Sequence, residues 1–294
     1  MTPLPSPQQL RYLLALADLG HFGRAAKACA VTQSTLSAGI LALERQLDAA
    51  ILDRAAGKHV VFTAVGEEIV ARARTALAAL STVTEAATAA REPLSGPLRL
   101  GVIPTVGPFL LPRLMPALRE AFPQLRLFVR EDVTEALLAR LTSNRLDLLL
   151  VALPLDAPGI ETLPIARDEF VVALPKGHRL AARARIPVAA LAGERMLLLE
   201  DGHCLRDQAL AVCGTTERED FAATSLHTLA GMVAGDLGVT LLPRMAVDAG
   251  VAADLDLRPL SGSSAWRTIG LAWRARSPRA EEYRALAPLI APPG

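Results

Sequence analysis

The feature that most constrains the fold is a change of hydrophobic pattern at residues 92–97, which read Glu-Pro-Leu-Ser-Gly-Pro. Before this segment, apolar residues recur every three to four positions, as in amphipathic helices; after it, short apolar runs alternate with helical segments, as in βαβ units. A segment rich in proline and glycine between two such patterns indicates a hinge. The 294 residues, 51% of them hydrophobic, are enough to give both parts a core.

Helices joined by a short turn are predicted within the first fifty residues. Residues 7–19 form a first helix, whose apolar face consists of Leu10, Leu13, Leu14 and Ala17. Thr32 is placed to cap a later helix, with core positions at Leu36, Ile40, Leu43 and Leu47. The first turns of that helix present short polar side chains suited to phosphates and base edges, namely Gln33, Ser34, Thr35 and Ser37. This is helix-turn-helix organisation, with the second helix directed at the DNA major groove.

Two neighbouring features favour DNA binding over an ordinary helical bundle with solvated charges, which remains the alternative. The pattern of residues 58–63 predicts a short strand, which we expect to form a wing beside the DNA groove. Cations for phosphate contact are available at Arg11, Arg24, Lys27, Arg45, Arg54 and Lys58. From these and the polar residues we expect a DNA-binding set of Arg24, Thr32, Gln33, Ser34, Thr35, Ser37, Arg54 and Lys58. The net charge of +1 does not argue against it, because one small domain can concentrate positive charge.

A long helix is predicted after Thr63, which is placed to cap it. Residues 64–90 would extend about 40 Å as a helix. The segment is rich in alanine and thinly apolar, so pairing with a second copy of itself would explain it better than a place in one domain's core. We expect a homodimer that places two DNA-binding domains on a palindromic DNA site.

The second part of the chain predicts a two-lobed α/β domain. Its strand and helix segments begin at residue 98, restart near Asp168, and return to the first lobe with a strand at residues 267–273. The alternation favours parallel βαβ units, whose ligands lie beyond the carboxyl ends of the strands. Thr105 and Thr134 each follow a predicted strand, although threonines at such places are more often caps than ligands. A crevice between the lobes would suit a small effector.

Residues 199–213 hold two of the three cysteines, Cys204 and Cys213. If a continuous helix joins them, nine residues rise about 13.5 Å and turn through about 900°, so the thiols point from opposite faces. A disulfide needs Cα atoms within about 7 Å, so this pair can bond only if the helix unwinds. Cys204 would lie in the first turn between His203 and Arg206, where we expect a lowered thiol pKa. The alternative is that both are inert packing residues, as we expect for Cys29 among its alanines.

Several other classes of protein find no support. The chain contains no GxGxxG, P-loop or HExxH motif, and its five histidines are scattered, so we expect no metal site, no cofactor and no hydrolase triad. His203 and Cys204 are adjacent, which rarely gives nucleophile–base geometry. No stretch approaches about 18 apolar residues and the start lacks the form of a signal peptide, so we expect a cytoplasmic protein without a membrane partner. A disulfide in a reducing compartment would be transient.

The whole chain resembles the LysR-type transcriptional regulators. The segments that carry the resemblance are GVIPTVGP, LLLEDGHCLRDQA, ATSLHTL, GVTLLP and WRTIGL, and they point to the peroxide-sensing members of that family. The resemblance implies a winged helix-turn-helix domain at 1–63, a linker dimerisation helix at 64–92, and a periplasmic-binding-protein-like effector domain at 93–294. Lobe I would comprise about 98–167 and 267–294, and lobe II about 168–266. In the recognition helix, this chain has Ala38 and Gly39 where members of the family often have Arg-Gln. The operator sequence of a relative therefore cannot be assigned to this protein.

The same resemblance implies residue roles and partners. Cys204 would be the peroxidatic cysteine and Cys213 the resolving one. The peroxide pocket would consist of Thr105, Thr134, His203, Arg206, Asp207 and Arg267. Implied partners are DNA, hydrogen peroxide, RNA polymerase, a thioredoxin- or glutaredoxin-type reductant, and further copies of the chain in a homotetramer.

Two other hypotheses about the function remain open from the sequence. One is a LysR-type regulator of a small organic metabolite, in which the cysteines only pack. The other is a thiol peroxidase that catalyses repeated reduction of peroxide. The DNA-binding half of the chain argues against it, so we expect that the protein is not an enzyme.

Overall fold

A computed structural model describes residues 3–53, 59–89, 94–213, 222–261 and 265–291. The chain forms two compact units, Met1–Ala87 and Thr88–Gly294. Within the described residues, no helix is long and apolar enough to cross a membrane, and no cluster of three or more His, Cys, Asp or Glu side chains is arranged to hold a metal ion.

The first unit is the predicted helix-turn-helix arrangement. Its helices are α1 (Pro7–Leu19), α2 (Phe22–Ala28), α3 (Gln33–Leu47) and the long α4 (Ala64–Ala89). Leu13, Leu16 and Leu36 are completely buried where α1, α2 and α3 meet. A glycine in the middle of α3 has a packing reason, because a Cβ on Gly39 would come within 2.6 Å of the Tyr12 ring.

A small wing follows α3. Leu52 and Phe62 form an antiparallel bridge, and Thr63 N–H donates to Ile51 O at 3.0 Å. Glu44 of α3 fixes the start of the wing, since its buried carboxylate accepts from Ile51 N–H at 2.8 Å and Leu52 N–H at 3.1 Å. Thr63 caps α4 as predicted, because its Oγ1 accepts from the Gly66 N–H at 2.9 Å.

The second unit is built on a mixed sheet. Its strands are β1 (Gly96–Val102), β2 (Leu125–Glu131), β3 (Leu148–Leu153), β4 (Ile160–Leu174), β5 (Ile186–Pro187), β8 (Thr240–Pro243), β9 (Asp256–Ser261) and β10 (Trp266–Arg274). They lie in the order β2-β1-β3-β10-β4-β9-β5, with β8 also paired to β4. A separate pair is formed by β6 (Leu198–Leu199) and β7 (Ala222–Ala223). The helices are α5 (Gly107–Ala121), α6 (Thr134–Thr142), α7 (Cys204–Cys213), α8 (Leu226–Ala234), α9 (Arg244–Asp248) and α10 (Ala280–Ile290).

The expected parallel βαβ series is only partly present. β1 pairs in parallel with β2 and β3, whereas β10 is antiparallel to β3 and β4, and β4 is antiparallel to β8 and β9. The series does not restart near Asp168, because residues 160–174 form one continuous strand. Its first half pairs with β10 and its second half with β8 and β9, so β4 runs through both lobes.

Each lobe has its own hydrophobic core. The lobe I core surrounds β1, β3 and β10 and includes Val102, Leu149 and Leu271. The lobe II core surrounds the second half of β4 and includes Val172, Leu229 and Leu242. The fold class expected from the sequence, an all-α DNA-binding part followed by a two-lobed α/β part, is confirmed.

Candidate functional site

The cysteine segment forms a single helix. Gly202 has φ of +91°, a left-handed conformation that glycine adopts without strain, and this turn leads directly into α7. The helix begins at Cys204 and ends at Cys213 without interruption. Nine residues of α-helix separate the two Cα atoms by about 13.5 Å, which is well beyond the reach of a disulfide. Cys204 is a free thiol, and the side chain of Cys213 lies outside the described residues.

Cys204 lies where the two lobes meet. Leu205 and Ala209, on the same helix, are part of the lobe II core. The Cys204 side chain instead packs against the lobe I core. Close by, the Cβ position of Gly202 faces Val133 Cγ1 of lobe I at 3.9 Å. The helix is therefore anchored in one lobe while its first side chain contacts the other.

A buried ion pair forms the polar part of the site. The side chains of Arg267 and Asp168 are 0% and 3% exposed, and their charged groups are 2.8 Å apart. Arg267 Nε donates to Asp168 Oδ2 at 2.9 Å, while Nη1 and Nη2 donate to Thr105 Oγ1 and O, both at 2.8 Å. Asp168 Oδ1 accepts from the Met245 N–H at 2.9 Å. Both partners are satisfied, as buried charges must be.

The position in the fold opposes ionisation of Cys204. Burial raises the pKa of the Cys204 thiol above its ordinary value of 9.0. The positive charge of Arg267, the Thr134 hydroxyl and the Leu205 N–H act the other way, and Asp207 raises the pKa slightly further. The sequence-based expectation of a lowered pKa was therefore wrong in direction, because the loss of hydration is larger than the stabilisation by nearby donors.

The predicted pocket residues fall into two groups. Thr134 and Arg267 act directly on Cys204, and Thr105 is joined to Arg267. Arg206 points elsewhere: its Nη1 donates to Leu199 O at 3.0 Å and its Nε lies 2.9 Å from Asp201 Oδ1. The expectation that Arg206 supports the thiolate was wrong, since this guanidinium fastens α7 to the preceding loop.

His203 and Asp207 complete the predicted pocket set. His203 is half-buried and Asp207 is exposed. The His203 backbone closes the turn before the helix, donating to Glu200 O at 3.4 Å and accepting from the Arg206 N–H at 2.9 Å.

Sequence reasoning missed Asp168 as a residue of the site. Asp168 is the buried partner of Arg267, and a charged residue next to the apolar run Phe170–Leu174 was the available signal. Thr134, which the sequence placed in the pocket, has a buried hydroxyl oxygen with no other hydrogen-bond partner in the described part of the chain, and this hydroxyl acts on the Cys204 thiol.

The candidate DNA-contacting residues cluster at the start of α3. Thr32 is its N-cap, accepting from the Thr35 N–H at 3.2 Å, and Gln33, Ser34 and Thr35 are exposed while Ser37 is half-buried. Arg24 is exposed on α2 and donates to Leu19 O at 2.7 Å. Arg54 and Lys58 lie outside the described residues. Cys29, expected in the core, is half-buried against it.

Comparison with known proteins covers nearly the whole chain. Residues 7–67 match the family described as bacterial regulatory helix-turn-helix protein, lysR family, and residues 91–291 match the LysR substrate binding domain. The chain is 43% identical over 287 residues to the DNA-binding transcriptional dual regulator OxyR of Escherichia coli, covering 96% of this chain and 94% of the relative.

Solved structures are similar as well. A full-length OxyR cysteine variant from Pseudomonas aeruginosa has a TM-score of 0.82 at 38% identity, covering 98% of this chain and 95% of that one. A hydrogen peroxide-bound OxyR cysteine mutant from Corynebacterium glutamicum has a TM-score of 0.67 at 33% identity, covering 99% and 92%.

Proposed function

This chain belongs to the LysR family of bacterial regulatory proteins, and we propose that it is a hydrogen peroxide-sensing transcriptional regulator that switches through a reversible Cys204–Cys213 disulfide. Its similarity to OxyR over almost its full length supports the proposal. The observation that carries it is the helix α7, which begins at Cys204 and ends at Cys213. Bond formation between these cysteines requires α7 to unwind, so oxidation is coupled to a change of fold.

The first chemical step takes place at Cys204. Its thiolate attacks one oxygen of hydrogen peroxide, the O–O bond breaks, and the hydroxide that leaves takes a proton to become water. The product is a sulfenic acid, which is reversible. Arg267 contributes positive charge and Thr134 a hydroxyl at this position, and both would stabilise negative charge that develops on the leaving oxygen.

The second step joins the two cysteines. The Cys213 thiolate attacks the sulfur of the sulfenic acid, an S–S bond forms, and the departing hydroxide takes a proton to give a second water. Overall, two thiols and one peroxide give one disulfide and two waters. A dithiol reductant of the thioredoxin or glutaredoxin class would reverse the change by thiol–disulfide exchange.

The raised pKa of Cys204 determines how the rate depends on pH. Most of the thiol is protonated at neutral pH, because burial raises its pKa above 9.0. We expect the rate of reaction with peroxide to increase with pH through the neutral range and to level off only above pH 9. Stopped-flow kinetics of the reaction with peroxide, recorded from pH 6 to 10, would test this pH dependence.

The readout is proposed to be DNA binding by an oligomer. The exposed start of α3, with Gln33, Ser34 and Thr35, would contact the major groove, assisted by Arg24 and by the predicted contacts Arg54 and Lys58. The helix α4 would form the linker through which two copies dimerise on a palindromic site. Unwinding of α7 would alter lobe contacts within a tetramer and change the spacing of the DNA-binding domains, with RNA polymerase as a further partner.

Thiol counting tests the proposal. Purified protein treated with peroxide should lose two of its three thiols per chain. The Cys204→Ser variant should keep the free thiols of both Cys213 and Cys29. The matched control, Cys29→Ser, should still lose two thiols. Cys213→Ser should stop at a sulfenic acid that a dithiol reverses. A wild-type protein that retains all three thiols would contradict the sensor proposal.

A DNA footprint distinguishes a switch from mere oxidation. The reduced and oxidised proteins should protect different lengths of an operator, and Cys204→Ser should keep the reduced footprint after peroxide treatment. A regulator of an organic metabolite would instead keep its response in Cys204→Ser. A thiol peroxidase would consume peroxide continuously with excess reductant.

A further inference from the structure

Asp168 takes no part in the two proposed chemical steps, yet it is bound to Arg267, which does. It lies on β4 directly opposite Arg267 on the antiparallel strand β10, so the two side chains share one face of the sheet. Asp168 Oδ2 accepts from Arg267 Nε at 2.9 Å, and Oδ1 accepts from the Met245 N–H of α9 at 2.9 Å. The carboxylate is therefore held by contacts from two different elements of the fold.

The Arg267 guanidinium is held at two of its edges. A guanidinium has five N–H groups in a rigid planar fork. Nε and Nη2 face Asp168 Oδ2 at 2.9 and 2.8 Å, while Nη1 and Nη2 donate to Thr105 Oγ1 and O, both at 2.8 Å. Within the described part of the chain, these contacts leave one N–H of Nη1 for a further acceptor. Because the plane of the group is held from both sides, that N–H has a fixed direction.

Asp168 also reduces the field that Arg267 exerts on Cys204. The positive charge of Arg267 favours the Cys204 thiolate. A carboxylate 2.8 Å from that guanidinium converts an isolated charge into a dipole, whose field decreases more steeply with distance. Since both side chains are almost completely buried, water and salt screen this compensation very little. The thiolate therefore receives only part of the stabilisation that an unpaired arginine would give.

The other groups around the thiol come from α6 and from α7 itself. The Thr134 hydroxyl of α6 favours the thiolate less strongly than Arg267 does, and Asp207 of α7 opposes it. Arg206, also on α7, is engaged by the preceding loop, and His203 lies in the turn before the helix. The charge of Arg267 is thus the main influence that opposes the effect of burial, and any residue that modifies this charge controls the thiol.

From these contacts we infer that Asp168 is a positioning residue for the reaction of Cys204: it holds the Arg267 guanidinium in one orientation and compensates its charge, so that the resting thiol reacts slowly. The effect on peroxide sensing rests on the proposed function, whereas the effect on the thiol does not. In a sensor, this compensation sets how much peroxide is needed before the switch responds.

The variant Asp168→Asn tests the inference, because it removes the negative charge and keeps one carbonyl oxygen as an acceptor for Arg267. The full-length chain has 3 cysteines, so a background of Cys29→Ser with Cys213→Ser leaves Cys204 as the thiol that reacts. Iodoacetamide alkylates the thiolate, and its rate from pH 6 to 10 follows the ionised fraction. Asp168→Asn should react roughly three- to tenfold faster than the background protein at pH 7 and reach its half-maximal rate at a lower pH.

Two further variants separate charge compensation from loosening of the fold. The matched control is Asp147→Asn, since Asp147 is 4% exposed and paired with Arg99 at 2.6 Å; its loss should leave the alkylation profile unchanged. The double variant Asp168→Asn with Arg267→Gln removes both charges and leaves neither unpaired. If the two charges compensate each other at the thiol, its alkylation rate at pH 7 should stay within about threefold of the background protein.

Circular dichroism checks that each variant is folded, and the double variant decides alone if Asp168→Asn does not fold. With all three cysteines present, Asp168→Asn should form the disulfide faster than the wild type at the same peroxide concentration. Three results would overturn the inference: an acceleration of alkylation below about threefold in Asp168→Asn, an equal acceleration in Asp147→Asn, or a rate more than about threefold from the background in the double variant. If peroxide removes no thiols from the wild type, the proposed function fails, and the alkylation comparison still decides the role of Asp168.

Discussion

Replacing Arg267 by Met is expected to destabilise the effector domain strongly. The side chains of Arg267 and Asp168 are 0% and 3% exposed, so the substitution leaves a carboxylate in the interior whose remaining partner is the Met245 N–H. Removing one member of a buried pair typically costs about 3–5 kcal/mol of the free energy of unfolding. Thr105 also loses the donors to its hydroxyl and its carbonyl oxygen.

The double variant Arg267→Met with Asp168→Leu separates pairing from packing. Replacing both charges by apolar side chains removes the unpaired carboxylate, so the loss should fall to about 1–3 kcal/mol, the cost of leaving the Thr105 hydroxyl and the Met245 N–H without partners. The two substitutions should therefore be far from additive.

Guanidinium unfolding measures these losses. The chain has 2 tryptophans; Trp266 is adjacent to Arg267 on β10 and Trp273 is buried in the lobe I core, so their fluorescence reports on this domain. If Arg267→Met loses less than about 1 kcal/mol, or if the double variant loses the sum of the single losses, the assignment of a fully buried, charge-compensated pair is refuted.

Further predictions follow from single contacts. Thr134→Val should raise the pKa of the Cys204 thiol further and slow its alkylation by iodoacetamide at pH 8, while Thr142→Val, on the exposed end of the same helix, should not. Glu44→Ala should cost about 1–3 kcal/mol in thermal unfolding because the wing loses the acceptor of two backbone N–H groups; Glu44→Gln, which keeps an acceptor, should cost clearly less. Burial raises the pKa of Tyr283 from 10.0 to about 12, so the folded state holds this proton longer than the unfolded state and stability should decrease as the pH rises through that window. Absorbance at about 295 nm in a Tyr12→Phe background follows the Tyr283 titration, and ionisation near pH 10 would contradict the burial.

Local signals in the sequence predicted local structure well. Thr32 and Thr63 could be assigned as caps because capping depends on the next three residues, and both make the expected bond. The change of pattern near residue 95 predicted the fold class, since helical and strand periodicities are properties of short windows.

Contacts between distant residues could not be predicted in this way. Asp168 and Arg267 are separated by 99 positions, and no local pattern indicates that the two strands carrying them are neighbours. The sign of the Cys204 pKa shift was wrong because sequence reveals adjacent charges but not burial. Likewise, the sequence shows a glycine at position 39 without a reason for it, and only the packing of Tyr12 against α3 explains it.

The course of β4 through both lobes limits how the lobes can move relative to each other. Its first half is paired with Trp266–Arg274 and its second half with β8 and β9, so sliding one lobe past the other would break ladder hydrogen bonds, whereas torsion about the strand would not. The ladder has a register shift between Ile269 and Gly270, the kind of irregularity at which a sheet twists most readily. One continuous strand thus joins the two lobes, and such a connection permits twisting about the strand more readily than separation of the lobes.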